Sequence, residues 1–181
     1  MGKVSEVFSG RPESADGRLE KVLAVYDFLD SLGISYERVD HPPADTIEDC
    51  LEVEKVIGVG ICKNLFVCNR TKTEYYMIMM SGHKSFRTAE VSKKLGTSRL
   101  SFASAEDMEK LLGVTPGSVT VMALKNESAR RVQLVIDRDI INGDHIRCHP
   151  CINTSTLKIK TEDLLRVFLM KVGHTPRIID I

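Results

Sequence analysis

Two β-rich runs, KNLFVCN at 63–69 and EYYMIMMS at 74–81, flank four polar residues, RTKT. Aromatic, β-branched and long apolar side chains at that density suit a pleated, buried surface. A polar connection of hairpin length between two such runs predicts an antiparallel pair. No other feature of the chain narrows the fold as much.

The remaining elements are read from periodicity and punctuation. Leu19, Val22, Leu23, Tyr26 and Leu29 recur at helical spacing, with Gly33 as the stop. ISYERVD alternates as a strand does, and HPPADT is a turn, since two prolines cannot continue a ladder. Thr46, with Asp49 three residues on, caps a helix running to about Ile57. Thr88 to Leu95 is a short helix ended by Gly96. Ser104 and Asp107 form a second capping box, for a helix ending at Gly113. SVTVMAL, VQLVID and TLKI read as strands, and residues 161–171 as a last helix. Helices and strands mix irregularly, with many short connections and no internal repeat. This predicts an α+β fold, a single domain over 18–181, with 1–17 a flexible leader.

The chain has 25 basic and 25 acidic residues among 181. Zero net charge argues against tight, nonspecific nucleic-acid binding, which draws its affinity from phosphate neutralisation. The distribution is uneven. Acids gather at 37–54 (Glu37, Asp40, Asp45, Glu48, Asp49, Glu52, Glu54) and bases at 84–99 (Lys84, Arg87, Lys93, Lys94, Arg99). They read as solvated helix faces, the basic one able to meet a few phosphates. No apolar run has membrane-spanning length and the first residues lack a signal-peptide core, so a cytoplasmic protein with no membrane partner is expected. The five cysteines are then reduced thiols.

Cys148-His149-Pro150-Cys151 is a C-x-x-C motif. A redox pair usually has its first cysteine at a helix N-terminus, but the residues that follow here suit a turn entering a strand. A structural zinc site needs four ligands. His145, Cys148, His149 and Cys151 would have to wrap one ion within seven residues. Neither use fits well, and His149-Pro150 with Asn153-Thr154 is left to be explained.

Four segments in order carry a resemblance: LGISYERVDHPP, with His41-Pro42-Pro43 and then Thr46; CKNLFV, with Lys63-Asn64; LSFASAEDMEKLLGVTPGSVTVMAL, with Gly113 and Pro116-Gly117-Ser118-Val119; and HPCINTST, with His149, Asn153 and Thr156. Over about Gly17 to Ile181 the chain resembles the YbaK/ProX family of aminoacyl-tRNA editing domains, on its prolyl-tRNA deacylase branch. The resemblance implies a mixed, partly closed, barrel-like sheet flanked by helices. It also implies hydrolysis of the ester on mischarged alanyl-tRNA(Pro), with no metal or organic cofactor. The partners implied are the 3′ acceptor end of tRNA(Pro) and prolyl-tRNA synthetase.

The implied catalytic residues are Lys63, Asn64 and His149. Lys63 matches the family's essential lysine and would hold the terminal phosphate or ribose. Asn64 would donate to the carbonyl or ribose, and His149 would position the substrate, with proton transfer second. Gly113, Thr115, Pro116, Gly117, Ser118 and Asn153 are the expected substrate-binding residues, the glycine-rich bend offering backbone N–H groups to the ester carbonyl. On the residues alone, that bend reads first as a helix stop running into a tight turn. His41 reads as structural, His83 as a loop residue on the basic face, and Met77, Met79 and Met80 as strand core. Cys151 departs from the small or polar residue usual there, which leaves the amino-acid preference open. Two other readings stand beside this one: a deacylase for cysteinyl- or seryl-tRNA, and a noncatalytic tRNA- or metal-binding regulator on the same fold.

Overall fold

The computed structural model describes residues 4–15, 17–44 and 46–181. Its frame is an α+β arrangement of two sheets. The first is antiparallel, built from β1 (Phe8–Ser9), β2 (Tyr36–Asp40), β8 (Ser155–Lys160) and β7 (His145–Cys148), in that order. The second is mixed and runs β5 (Ser101–Phe102), β3 (Cys62–Cys68), β4 (Tyr75–Ser81), β6 (Val132–Asp137), β9 (Arg177–Ile179). Within it β3 is antiparallel to β4 and β5, whereas β4–β6 and β6–β9 are parallel.

The hairpin expected from sequence is β3–β4, with Lys63 opposite Met80 and Phe66 opposite Met77. Its side chains alternate. Phe66, Met77 and Met79 enter the large core between the sheets, where they meet Tyr36, Ile146, Leu157 and Ile159. Val67, Tyr76 and Ile78 enter a second cluster with Val91 and Leu95 of α3 (Thr88–Leu95). Both faces of β4 are buried, which is why the run YYMIMM lacks polar alternation. Helix α1 (Glu20–Ser31) adds Val22, Tyr26 and Leu29 to the first core.

Local signals set the helix ends. In α2 (Ile47–Ile57) the Thr46 side chain accepts the Asp49 N–H and Asp49 bonds back to the Thr46 N–H. In α4 (Ala105–Leu112) Ser104 accepts the Asp107 N–H, and Gly113 ends the helix at φ 67°.

Several elements differ from the sequence expectation. SVTVMAL forms no strand. Val121–Lys125 is a 3₁₀ helix, capped by Thr120, whose Oγ1 accepts the Met122 N–H. A short apolar run has no period to separate strand from buried helix, and the threonine cap decides it. HIRC, read as part of a motif, is strand β7. The last helix is composite: α6 (Thr161–Asp163), a π-helical stretch Leu164–Phe168, and α7 (Leu169–Val172). α5 (Arg138–Ile141) is a single turn after β6.

Within the segment expected as a flexible leader, Phe8 and Ser9 pair with β2, and Arg38 lies over the Phe8 ring at 4.8 Å. Residues 1–3 and 16 of that leader lie outside the described residues, as does Asp45 of the acidic cluster. Among the described residues no helix is long and apolar enough to cross a membrane.

The turn after β4 is clamped to the start of β3: Gly82 donates its N–H to the Ile61 carbonyl at 2.7 Å. A Cβ at Gly82 would stand 2.5 Å from Ile61 Cβ and Cγ2. Gly82→Ala is therefore expected to cost about 1–3 kcal/mol through forced overlap, read as a lower urea midpoint at unchanged slope. Gly60→Ala, where an added Cβ meets nothing within 4 Å, is the control and leaves the midpoint in place or raises it.

Candidate functional site

A cleft of about 330 Å³ opens where β3 of one sheet comes beside β7 of the other. Lys63 and Asn64 line it from β3, Pro116 and Gly117 from the bend after α4, and His149 from the end of β7. Segments more than eighty residues apart in sequence thus meet in one cavity. A larger groove of about 690 Å³ runs along β2 and β8 past Tyr36, Glu37, Lys158 and Lys160, and none of the residues singled out as site residues lines it.

Alternation on β3 divides its cleft residues. Cys62 and Phe66 pack into the core between the sheets, so Asn64 shares that inner face. Leu65 and Val67 belong to the outer cluster, which puts Lys63 on the outer face at the rim. Lys63 Nζ donates to the Lys84 carbonyl at 3.0 Å, so two of its three N–H donors remain for a ligand. Lys84, expected on a solvated basic face, is anchored instead: its Nζ lies 2.8 Å from Asp137 Oδ2 and 2.7 Å from Asp139 Oδ2. Asp137 is fully buried, and its pairing with Lys84 raises the lysine's pKa. The chain Asp137–Lys84–Lys63 fixes where the rim ammonium stands. Asn64 Oδ1 is buried and, among the described residues, has no hydrogen-bond partner. An acceptor left so costs about 1–3 kcal/mol until something donates to it.

His149 is held at both ends. Its carbonyl accepts from Thr120 Oγ1 at 2.7 Å, and its Nδ1 lies 3.0 Å from the Ser155 carbonyl. A carbonyl only accepts, so Nδ1 carries the proton and Nε2 presents a lone pair. Burial pushes the imidazole down to about 4, so the ring is neutral at physiological pH. That suits it to orient a water or an amine; as a strong base it would be poor.

The bend is a tight turn. Ser118 donates its N–H to the Thr115 carbonyl at 3.0 Å, with Gly117 at φ 84°. Proline second and a positive-φ glycine third are the type II pattern. Pro116 and Gly117 reach the cleft, but four other residues expected to bind substrate do not line it. Gly113 is the α4 cap, Thr115 is exposed, and Ser118 is buried beneath the turn. Asn153 backs the turn, its Nδ2 lying 3.6 Å from where a Gly117 Cβ would be.

Arg147, which the sequence reading missed, also lines the cleft. It is 5% exposed, and its Nη1 donates to the Cys50 carbonyl at 3.2 Å. Burial lowers its pKa, and among the described residues it forms no ion pair with a carboxylate. The cleft holds two cations, Lys63 and Arg147, and among the described residues no Asp or Glu lines it. The signal for Arg147 was its place between Ile146 and Cys148, visible only once HIRC is recognised as a strand. His41, expected to be structural, is buried between the Pro42 carbonyl (2.8 Å from Nδ1) and Thr156 Oγ1 (2.9 Å from Nε2).

Burial governs the state of the thiols in and around the C-x-x-C. Burial raises the Cys148 thiol, and pushes Cys62 up to about 12 and Cys151 up to about 11. All three stay protonated at neutral pH, whereas the thiolate is the nucleophilic form. Cys151 also takes a left-handed backbone, φ 63°, in the turn between β7 and β8. Among the described residues no group of three or more His, Cys, Asp or Glu is placed to hold a metal ion.

The aminoacyl-tRNA editing domain model matches residues 41–167, which contain every cleft residue named above. The prolyl-tRNA synthetase associated domain-containing protein 1 of Danio rerio is 34% identical, over 84% of this chain and 83% of that protein. The prolyl-tRNA editing protein ProX of Acetoanaerobium sticklandii is 28% identical over 80% and 88%. A solved structure described as a candidate trans-editing enzyme for prolyl-tRNA synthetase superposes with TM-score 0.66. It covers 90% of this chain and 96% of that one at 15% identity, a likeness of fold.

A depressed imidazole pKa has a stability consequence with a definite sign. Burial lowers His41, His149 and His174 below the ordinary 6.5. The unfolded chain therefore takes up protons near pH 6.5 that the folded chain refuses. Stability should be level above about pH 7 and fall as pH drops towards 4. Urea midpoints across that range, with an NMR titration of the His149 ring, check this. A ring titrating near 6.5 would contradict the assignment.

Proposed function

The chain belongs to the aminoacyl-tRNA editing domain family, and we propose that it is a trans-editing hydrolase acting on mischarged alanyl-tRNA(Pro). The observation that carries this reading is the meeting of Lys63, Asn64, the Pro116–Gly117 turn and His149 on one small cleft. The names of its relatives, a prolyl-tRNA editing protein among them, support tRNA(Pro) as the carrier.

In this reading the terminal ribose lies at the rim, where the anchored Lys63 ammonium meets the last phosphate or the sugar. The aminoacyl group passes over β3 to the inner face. Water attacks the ester carbonyl, oriented by the neutral His149 Nε2 and by the vicinal ribose hydroxyl. A carbon–oxygen bond forms to water and the ester carbon–oxygen bond breaks. The proton lost by water ends on the departing ribose oxygen, giving free alanine and tRNA. The Gly117 amide and the Arg147 guanidinium lie on the walls of the cleft, where negative charge develops on the carbonyl oxygen. A small cleft is what a second sieve requires. A synthetase pocket shaped for proline cannot exclude the smaller alanine by size, since missing methylenes discriminate by only about 1–3 kcal/mol each.

A panel of aminoacyl-tRNAs tests the assignment. Alanine release from alanyl-tRNA(Pro) is expected, undiminished by chelator, with prolyl-tRNA(Pro) spared. Lys63→Ala should lower kcat/KM by about 100-fold or more, the cost of a misplaced reacting group. Lys84→Met, which removes the ion pairs to Asp137 and Asp139 that staple the turn but keeps the main-chain carbonyl and Lys63 itself, should cost less, with Lys84→Arg retaining more of the rate. Preferential hydrolysis of cysteinyl- or seryl-tRNA would change the substrate. Inactivity on every charged tRNA would end the deacylase reading in favour of a binding role.

A further inference from the structure

Phe102 is 61% exposed, on a two-residue strand at the edge of the mixed sheet, yet it lines the cleft. A large apolar side chain turned to water at the mouth of a cleft calls for an occupant. Register says which side of β3 it stands on. Phe102 pairs with Val67, and paired residues share a face. Lys63, Leu65 and Val67 alternate with Asn64 and Phe66, so ammonium, leucine and phenylalanine follow one another along the outer face. Phe86 backs the Phe102 ring, with centroids 6.0 Å apart and planes at 58°. Phe86 lies two residues after Lys84, whose carbonyl holds Lys63 Nζ. Lys63 and Val67 are about 13 Å apart along the strand.

We propose that Phe102, supported by Phe86, is the stacking platform for the unpaired terminal base of an RNA 3′ end, with Lys63 taking the sugar–phosphate beside it. This rests on the deacylase reading for the nature of the substrate and adds the subsite that reads its nucleoside. Three observations favour a nucleic-acid end over an apolar protein partner. The aromatic patch is continuous with the cleft, a cation flanks it, and among the described residues no carboxylate lines the cavity. The aromatic face is indifferent to base identity, since every base has a π-face. The platform therefore contributes grip and orientation; selection of the tRNA lies elsewhere. The ester leaves the ribose towards Asn64 and His149, on the opposite face of the strand.

The test compares wild type, Phe102→Leu and Phe102→Tyr on two RNAs: alanyl-tRNA(Pro), and the same RNA with an abasic terminal nucleotide bearing alanine. On the intact substrate Phe102→Leu should raise KM about tenfold, within the range of base–aromatic stacking, with kcat within about twofold, and Phe102→Tyr should match wild type. On the abasic substrate wild type and Phe102→Leu should be equal. Equal KM values on the intact substrate, or a Leu defect that persists without the base, would overturn the platform. A second arm needs no hydrolysis: fluorescence anisotropy with an uncharged, labelled single strand ending in CCA, and with its abasic counterpart. Wild type should prefer the intact end and Phe102→Leu should not. If no charged tRNA is cleaved, the deacylase reading fails, and this arm still decides the platform. Equal binding of the two ends by wild type would reject it.

Discussion

Everything in this molecule hangs on a hairpin buried on both faces. The inner side chains of β4, Met77 and Met79, meet the antiparallel sheet, and its outer ones, Tyr76 and Ile78, meet α3. Slipping the register by one residue would exchange those two sets and move Asn64 and Lys63 to each other's sides. Two-sided burial therefore fixes which functional group faces the cavity and which the rim. The same pairing brings the turn after β4 against Ile61, and with it the carbonyl that receives Lys63.

The electrostatics of the cleft follow from how deeply its walls are buried. Desolvation acts on each titratable group according to its chemistry. It discharges His149, keeps Cys62 and Cys148 as thiols, and leaves Arg147 charged because guanidinium cannot be deprotonated in a protein. What remains is a cavity with fixed positive charge, a neutral imidazole and an amide oxygen that has no partner among the described residues. A buried guanidinium held only by a carbonyl is costly, and an entering electron-rich group would offset that cost. In the proposed reading, that arrangement is where negative charge on an ester carbonyl oxygen would be met.

Much of this was legible in the chain. Thr46 with Asp49 and Ser104 with Asp107 are local devices whose meaning does not depend on the rest of the fold, and both caps stand where the sequence puts them. The hairpin was legible for the same reason. Val121–Lys125 was not, because an apolar run of that length has no period to read, and the deciding bond is one threonine hydroxyl. Nor was Arg147, since burial of a guanidinium is a tertiary fact. The resemblance supplied Lys63, Asn64 and His149, which the cleft brings together, along with Pro116 and Gly117. Gly113, Thr115, Ser118 and Asn153 shape or back the turn from outside the cavity. A motif marks a contiguous stretch, whereas a tight turn sends alternate residues in opposite directions.

The Lys84 carbonyl gives the rim ammonium a resting place before any ligand arrives. A free lysine side chain explores many rotamers, and freezing it costs up to about 2 kcal/mol. Here the turn stapled through Asp137 absorbs that ordering during folding. In the proposed reading, docking would begin with the charge already aimed, so affinity that a floppy arm would forfeit is kept for the substrate.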